Sequence, residues 1–146
     1  NRQGMSWKEL NMAISKAMQN YCGGIKCDDL LREGLDLLDS YEKEAVPQLS
    51  GQNPHELMRT HEVLDILEVS KLILNACLLR KSSSKPLCFQ RSDFPETDPE
   101  RDKHFITIRK EGGEIIRGDV PHDFYGDIEE GYLEHNQDYV EQMKRG

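Results

Sequence analysis

Apolar residues recur at three- and four-residue steps in three consecutive stretches of the chain, which predicts three amphipathic helices. The first stretch follows Ser6 and Glu9, whose spacing is that of a helix capping box. It ends at Gly23-Gly24, because glycine tolerates the left-handed backbone conformation that often closes a helix. Its apolar positions share one face: Trp7, Leu10, Ile14, Ala17, Met18 and Tyr21.

The next two stretches carry their own start and stop signals. The second begins at Asp28-Asp29, since carboxylates favour the positive end of a helix dipole, and Pro47 stops it. The third begins at Asn53-Pro54, a favoured cap followed by a favoured first residue. Apolar residues of this third stretch lie on more than one face, so we expect it to pack against two neighbours. Together the three helices predict an antiparallel three-helix bundle, spectrin-repeat-like, over residues 1–85.

The pattern changes after the third helix. Residues 105–108 alternate, Gly112-Gly113 follows, and a second apolar run begins at Glu114, which predicts a β-hairpin. An isolated hairpin is marginally stable, so it needs a surface to lie on. The acidic tail predicts a short helix between Asp127 and Lys144, broken or delayed by Gly131. The fold is therefore expected to be mainly α, with residues 86–146 forming an irregular strap, a hairpin and a tail packed on the bundle within one domain.

Composition narrows the function classes. The chain has 146 residues, of which 36% are hydrophobic and 32% charged, and its net charge is −8. That charge argues against a general nucleic-acid binder, which would carry a basic face. No apolar run approaches the roughly 20 residues needed to span a bilayer. Because the chain begins at Asn1 and not at Met, we expect a piece of a longer protein.

The cysteines and histidines give weak signals for chemistry. Cys22 and Cys27 are four residues apart with no second pair, so the four cysteines are interpreted as reduced structural thiols of a cytoplasmic protein. His61 is interpreted as a core or boundary histidine. His104, near Asp102 and Asp98, allows a metal cluster to be drawn, but carboxylate-rich turns often produce such coincidences.

Carboxylates are concentrated between residues 93 and 102, densely enough for general acid–base chemistry. Arg91 and Arg101 lie among them. The favoured interpretation is that these arginines bind the carboxylates and backbone carbonyls, and so hold an irregular segment in one shape. The sequence contains no glycine-rich dinucleotide or phosphate loop and no nucleophile elbow. No catalytic, cofactor-binding or metal-binding residue is therefore predicted.

Two segments resemble the carboxy-terminal domain of the fumarate reductase, succinate dehydrogenase and adenylylsulfate reductase flavoproteins. They are LDILEVSKLILNACLLRKSS and RSDFPETDPERDKHF, and the likeness extends from about Trp7 to Ile108. In that family a helix ending in Ala-x-Leu-Arg leads into an Arg-x-Asp-[Phe/Tyr]-Pro-x-x-Asp segment. The matching residues are Leu67, Val69, Leu72, Leu79, Arg80, Arg91, Asp93, Phe94, Pro95 and Asp98.

One position departs from the common family pattern. Many succinate dehydrogenase and fumarate reductase members have Arg-Gly-x-His just before Arg-x-Asp, whereas this chain has Pro86-Leu87-Cys88-Phe89. The phenylalanine and the DPERDKHFITI continuation look more like the adenylylsulfate reductase branch. The substrate therefore stays open within the family.

The resemblance implies a supporting role. It implies a parent oxidoreductase in which FAD and the catalytic residues belong to other domains, and an iron–sulfur electron-transfer subunit as a further partner. The fragment would hold no cofactor, insert into no membrane, and lie in the cytoplasm or peripherally at the inner face of a membrane through partner subunits. A structural strap is expected at Arg91, Asp93, Phe94, Pro95, Asp98 and Arg101. The competing hypotheses are a free-standing helical interaction module and a small metal-dependent hydrolase centred on His104.

Overall fold

The structure is a computed structural model that describes residues 4–123, 126 and 128–144. The chain is mostly helical with a small two-stranded antiparallel sheet, as the sequence predicts at that coarse level. It divides into two compact units, Asn1–Asp98 and Pro99–Gly146. Residues 86–98 of the expected strap lie in the first unit, together with the three long helices.

Helix α1 spans Trp7–Tyr21, α2 spans Asp28–Ser40 and α3 spans Pro54–Leu79. The predicted starts are confirmed by their caps. At α1 the Ser6 hydroxyl accepts from the Glu9 amide at 3.3 Å while the Glu9 carboxylate accepts from the Ser6 amide at 2.7 Å. At α3 the Asn53 side chain accepts from the Glu56 amide at 2.9 Å. These bonds satisfy donors that the first helical turn would otherwise leave without a partner.

The helix ends differ from the expectation in detail. Neither Gly23 nor Gly24 takes a positive φ, so the proposed left-handed closure of α1 is wrong. Beyond α2 the chain continues as a π-helical turn at Tyr41–Ala45 and a 3₁₀ turn at Val46–Gln48, which contains Pro47. A π turn shifts the hydrogen bonds to i→i+5 and so rotates the side chains that follow.

The core lies between the three helices, each of which contacts the other two. The expectation that α3 packs against two neighbours is confirmed. Gly34 marks the closest approach, because a Cβ there would lie 2.7 Å from the Cβ of Tyr21. The buried apolar residues are Leu10, Ile14, Ala17, Leu31, Leu38, Ala45, Val63, Leu67, Leu74 and Cys77.

A short parallel strand pair joins the segment before α2 to the strap. Strand β1, Ile25–Lys26, pairs with β2, Gln90–Arg91. The Ser92 amide then donates to the Lys26 carbonyl at 2.9 Å. Nothing in the local pattern predicts this pairing, because the two strands are each only two residues long. It places Arg91 beside the start of α2.

The second unit contains the predicted hairpin, which is confirmed. A 3₁₀ turn at Arg101–Lys103 leads into β3, His104–Glu111, which pairs antiparallel with β4, Glu114–Pro121. The turn residues Gly112 and Gly113 have φ values of +60° and +89°, the sign that the favoured two-residue hairpin turn requires.

The tail forms two short helices, α4 at Ile128–His135 and α5 at Gln137–Lys144. The predicted break at Gly131 is wrong, since Gly131 lies inside α4 and the interruption falls at Asn136. The Asn136 amide and its side-chain nitrogen both donate to the Tyr132 carbonyl, at 3.0 and 2.9 Å. Asp127, the predicted start, is outside the described residues. Across the described residues, the structure has no helix with the length and apolar character to cross a membrane.

Candidate functional site

The most concentrated polar site of the first unit surrounds Arg91. This residue is 1% exposed, although an arginine side chain is almost never fully buried unless it is paired. Strand β2 fixes its backbone, and the guanidinium carbon lies 5.1 Å from the centre of the Phe94 ring. The ring shields one face of the cation and adds a favourable cation–π interaction.

All five guanidinium N–H donors of Arg91 have acceptors. Nε donates to Asp93 Oδ1 at 2.8 Å and Nη2 donates to Asp93 Oδ2 at 2.6 Å, a bidentate pair. Nη2 also donates to Asp28 Oδ1 through a short bond. Nη1 donates to the carbonyls of Cys77 at 2.7 Å and of Arg80 at 3.1 Å. A buried guanidinium with every donor used satisfies the condition for stable burial of a charge.

These bonds connect two helix ends of opposite polarity. The carbonyls of Cys77 and Arg80 lie at the C-terminal end of α3, where carbonyls lack helical partners and the helix dipole is negative. At the N-terminal end of α2, the Asp28 amide donates to Asp93 Oδ2 at 2.8 Å. The cation therefore caps one helix, and its partner carboxylate caps the other. We call Arg91, Asp93 and Asp28 the arginine clamp.

The clamp shifts the proton affinities of its members. Hydrogen bonds from Arg91 lower the pKa of Asp93 to about 2, from an ordinary value of 3.8. The Asp93 carboxylate, with help from Asp28, raises the pKa of Arg91 although burial opposes it. Both groups are therefore ionised at neutral pH, and the clamp has no proton to exchange near that pH.

A serine fixes the backbone that carries the clamp. The Arg91 amide donates to the Ser83 hydroxyl at 3.0 Å, and that hydroxyl donates to the Phe94 carbonyl at 2.9 Å. The Ser83 amide in turn donates to the Glu96 carbonyl at 2.9 Å. One residue just after α3 thus holds three points of the strap, and it leaves the irregular segment in one conformation.

The other predicted strap residues are distributed unevenly. Pro95 lines an open cavity of about 440 Å³ beside β2, while Asp98 is exposed. Arg101 belongs to the second unit, where its Nη1 lies 3.1 Å from Asp119 Oδ2. The clamp itself therefore uses Arg91 and Asp93 of the predicted set, with Phe94 packed beside them.

Sequence reasoning did not find several partners of the clamp. Asp28 was interpreted only as a helix-start residue, and Ser83 is hidden within a run of three serines. The carbonyls of Cys77 and Arg80 carry no side-chain signal at all. An acidic helix start and a post-helical Arg-x-Asp could have been paired, but only with the tertiary contact already known.

The histidines do not build a metal centre among the described residues. His104 Nδ1 lies 2.8 Å from Asp119 Oδ2 within the second unit, and no group of three or more His, Cys, Asp or Glu side chains in residues 4–123, 126 and 128–144 is arranged to hold a metal ion. His61 is exposed on α3, so its interpretation as a core or boundary histidine is wrong.

Comparison with known proteins gives a family match. The family model described as the fumarate reductase flavoprotein C-terminus matches residues 11–117, which include α1–α3 and the clamp. No curated protein sequence matches at the threshold applied.

Three solved structures illustrate the shared fold. Adenosine-5-phosphosulfate reductase in complex with sulfite has 24% identity and a TM-score of 0.74, and the match covers 83% of this chain and 20% of that one. The Sdh1 complex of Mycobacterium smegmatis in the apo form has 20% identity and a TM-score of 0.68, with 81% and 20% covered. FrdA of E. coli quinol fumarate reductase has 18% identity and a TM-score of 0.68, with 82% and 22% covered. The chain thus spans about a fifth of the structures it matches.

Proposed function

The chain belongs to the family of fumarate reductase flavoprotein C-terminal domains, and on that premise we propose that it is a non-catalytic supporting domain of an FAD-dependent oxidoreductase. The single observation that supports this role is the family match over residues 11–117. Helices α1–α3, in this proposal, form an antiparallel three-helix bundle that presents surfaces to the rest of the parent protein. The strap residues Arg91, Asp93, Phe94, Pro95, Asp98 and Arg101 hold position and take no part in chemistry.

Replacing Arg91 tests the structural role of the clamp. Arg91→Ala leaves two carboxylates and two helix-end carbonyls without their donor, so we expect the free energy of unfolding to fall by about 3–5 kcal/mol. For a chain of this size the melting temperature should fall by about 10 °C. Calorimetry or circular dichroism of the purified chain measures both quantities.

Arg32→Ala is the matched control for that substitution. Arg32 also approaches Asp28, at 3.5 Å, but its side chain is 67% exposed. Exposed ion pairs contribute about 1 kcal/mol or less, so this variant should melt close to the wild type. An Arg91→Ala variant that melts with the Arg32→Ala variant would remove the structural role proposed for the clamp.

FAD, in this proposal, is bound by another domain of the parent protein. Dinucleotide sites use a strand, a glycine-rich turn and a helix N-terminus to hold the pyrophosphate, and this sequence has no such glycine pattern. The residues present therefore do not fit the cofactor, and no redox step is assigned to them. Titrating the chain with FAD should give no flavin fluorescence quenching, whereas the full parent protein should retain FAD through gel filtration.

One face of α3 is suited to contact the flavin-binding domain. Met58, Ile66, Val69 and Ile73 recur at helical spacing and are 43–51% exposed, and we call them the α3 stripe. Contiguous exposed apolar surface on a folded unit marks an interaction site. A permanent contact within one chain buries apolar residues of this kind, so we assign the stripe to the flavin-binding domain and not to the iron–sulfur subunit.

Charge placed on the stripe tests this assignment in the parent protein. Val69→Glu should lower FAD retention and the melting temperature of the parent, because a carboxylate would be buried in an apolar contact. Met12→Glu is the control, since Met12 is 73% exposed on α1 and lies outside the stripe. Equal behaviour of the two variants would assign the contact to another surface.

A second candidate, an adenylylsulfate reductase-type parent, is favoured by one residue. Phe89 occupies the position where many fumarate reductase and succinate dehydrogenase members have histidine. Its ring lies 5.0 Å from Lys26 Nζ and 5.7 Å from the guanidinium carbon of Arg80. An aromatic ring between two cations forms favourable contacts that a protonated histidine would lose. Parallel assays of the parent with adenylylsulfate, fumarate and succinate separate the candidates.

A further inference from the structure

Two thiols lie close together where α1 ends. Cys22 Sγ and Cys77 Sγ are 3.9 Å apart, although 55 positions separate the residues in sequence. Cys22 follows the last residue of α1 and is partly exposed, whereas Cys77 lies in the last turn of α3 and is 8% exposed. An accessible thiol is therefore paired with a buried one across the contact between two helices.

The surroundings of the pair favour a reactive Cys22. A hydrogen bond with Cys77 lowers the pKa of Cys22 to about 7, and the Lys26 ammonium group lowers it further. Lys26 is held nearby because its Nζ donates to the Gly23 carbonyl at 2.7 Å. The same hydrogen bond, together with burial, raises the pKa of Cys77. Since the thiolate is the nucleophilic form, Cys22 is the attacking group and Cys77 supplies a thiol.

The backbone allows the two sulfur atoms to approach. A disulfide needs a sulfur–sulfur distance of about 2.05 Å, so the atoms must move together by about 2 Å. Cys22 is outside the regular part of α1 and is followed by Gly23 and Gly24. A Cβ at Gly24 would meet no atom within 4 Å, so this segment has space to adjust. The required movement is thus local to the end of one helix.

We propose that Cys22 and Cys77 form a reversible dithiol–disulfide pair that a hydroperoxide oxidises. The Cys22 thiolate attacks the peroxide oxygen and becomes a sulfenic acid, with release of water or an alcohol after a proton is taken up. The Cys77 thiol then attacks the sulfenic sulfur, water leaves, and the disulfide forms. Two electrons pass from the thiols to the peroxide, and a dithiol reductant returns them. This inference is independent of the proposed supporting function.

The disulfide would act on the same helix end as the arginine clamp. The Cys77 carbonyl accepts from Arg91 Nη1 at 2.7 Å, so a crosslink at Cys77 restrains a residue that the clamp already holds. Closing a loop of 55 positions removes conformational freedom from the unfolded chain. The melting temperature of the oxidised chain should therefore rise by about 5–10 °C.

Mild oxidation followed by peptide mapping tests the proposal. The purified chain is treated with one equivalent of hydrogen peroxide, digested without reduction, and analysed by mass spectrometry. We expect a linked pair of peptides containing Cys22 and Cys77, a mass loss of two hydrogens, and a higher melting temperature that dithiothreitol reverses. Absence of this linked pair, or a link between other cysteines, would overturn the proposal.

Two variants keep the test decisive. In Cys77→Ala the sulfenic acid on Cys22 has no resolving thiol, so dimedone should label Cys22. Cys88→Ser is the matched control, because Cys88 is exposed and distant in role from the pair, and it should oxidise as the wild type does. If Cys77→Ala folds poorly, the linked peptide of the wild type still decides. Equal dimedone labelling of Cys22 with and without Cys77 would count against resolution by Cys77.

Discussion

Arg91 illustrates how a charged side chain becomes part of a core. Burial of a lone guanidinium would be strongly unfavourable, but here two carboxylates and two helix-end carbonyls replace the lost water. The result is sensitive to its parts, because removal of one partner leaves the rest buried and unmatched. The Arg-x-Asp spacing allowed Arg91 and Asp93 to be named from the sequence. Asp28 and Ser83 required the fold, since they come from other segments of the chain.

The pKa of Asp93 predicts an acid-sensitive contribution to stability. Its folded-state value is about 2 and its ordinary value is 3.8, so the stabilisation is complete above about pH 4. It is lost as the pH falls from about 4 towards 2, because the folded state then takes up a proton that weakens the clamp. The contribution is about 2 kcal/mol. Chemical denaturation at a series of pH values measures it.

Asp93→Asn should flatten this part of the pH profile and lower stability at neutral pH. Asp36→Asn is the control, since Asp36 is exposed on α2 and away from the clamp. It should keep the wild-type slope between pH 4 and 2. A wild-type slope in Asp93→Asn would assign the acid sensitivity to other carboxylates.

At the scale of elements, the interrupted end of α2 has a packing consequence. The Lys71 ammonium group of α3 lies 2.6 Å from Asp39 Oδ1 in α2 and 2.7 Å from Glu42 Oε2 in the π turn. Burial lowers the pKa of Lys71, but these two carboxylates outweigh it and raise the pKa overall. Glu42 was the odd polar residue in an apolar helical pattern, and its bond to Lys71 explains why it is tolerated there.

Lys71→Ala should lower the free energy of unfolding by about 1 kcal/mol, since a three-membered network contributes more than an isolated exposed pair. Its Lys71 side chain is 16% exposed, so salt should screen the interaction only in part. Lys43→Ala, at an exposed position of the same π turn, is the control and should change stability little. Urea denaturation at two salt concentrations gives both values, and equal losses for the two variants would contradict a specific role of Lys71.

The hairpin turn depends on residues that accept a positive φ. Gly112 has a φ of +60°, a conformation that asparagine tolerates and a β-branched residue does not. Gly112→Val should therefore disrupt the pairing of β3 with β4, whereas Gly112→Asn should keep it. Cross-strand NMR contacts between Phe105 and Val120 report the pairing. Intact contacts in Gly112→Val would show that the strands hold the register without the turn.

Element prediction succeeded where the signal was local. The caps at Ser6 and Asn53 and the two-glycine turn are short-range patterns, and the structure has all three. The parallel pairing of β1 with β2 was not predicted, because a two-residue strand has no periodicity to detect. The break in the tail was misplaced because glycine only weakens a helix, while Asn136 forms hydrogen bonds that end one.

For the whole molecule, the fold and the family are established and the activity is proposed. The match covers residues 11–117, and the chain spans about a fifth of each structure compared. The α3 stripe, the clamp and the sequence without a dinucleotide loop all support one division of labour. Another domain carries FAD and chemistry, and this one supplies stable surfaces. The predicted packing of the hairpin and tail on the helices, with its boundary at residue 85, stays a prediction.

The most direct test of this division is turnover per bound FAD in the parent protein carrying Arg91→Lys. A lysine keeps the charge but cannot reproduce the bidentate and forked hydrogen bonds of arginine. If the strap is structural, the melting temperature falls by several degrees while turnover per FAD, measured well below melting, stays within about twofold of wild type. An unchanged melting temperature with turnover per FAD reduced a hundredfold or so would place Arg91 in the chemistry and contradict the account.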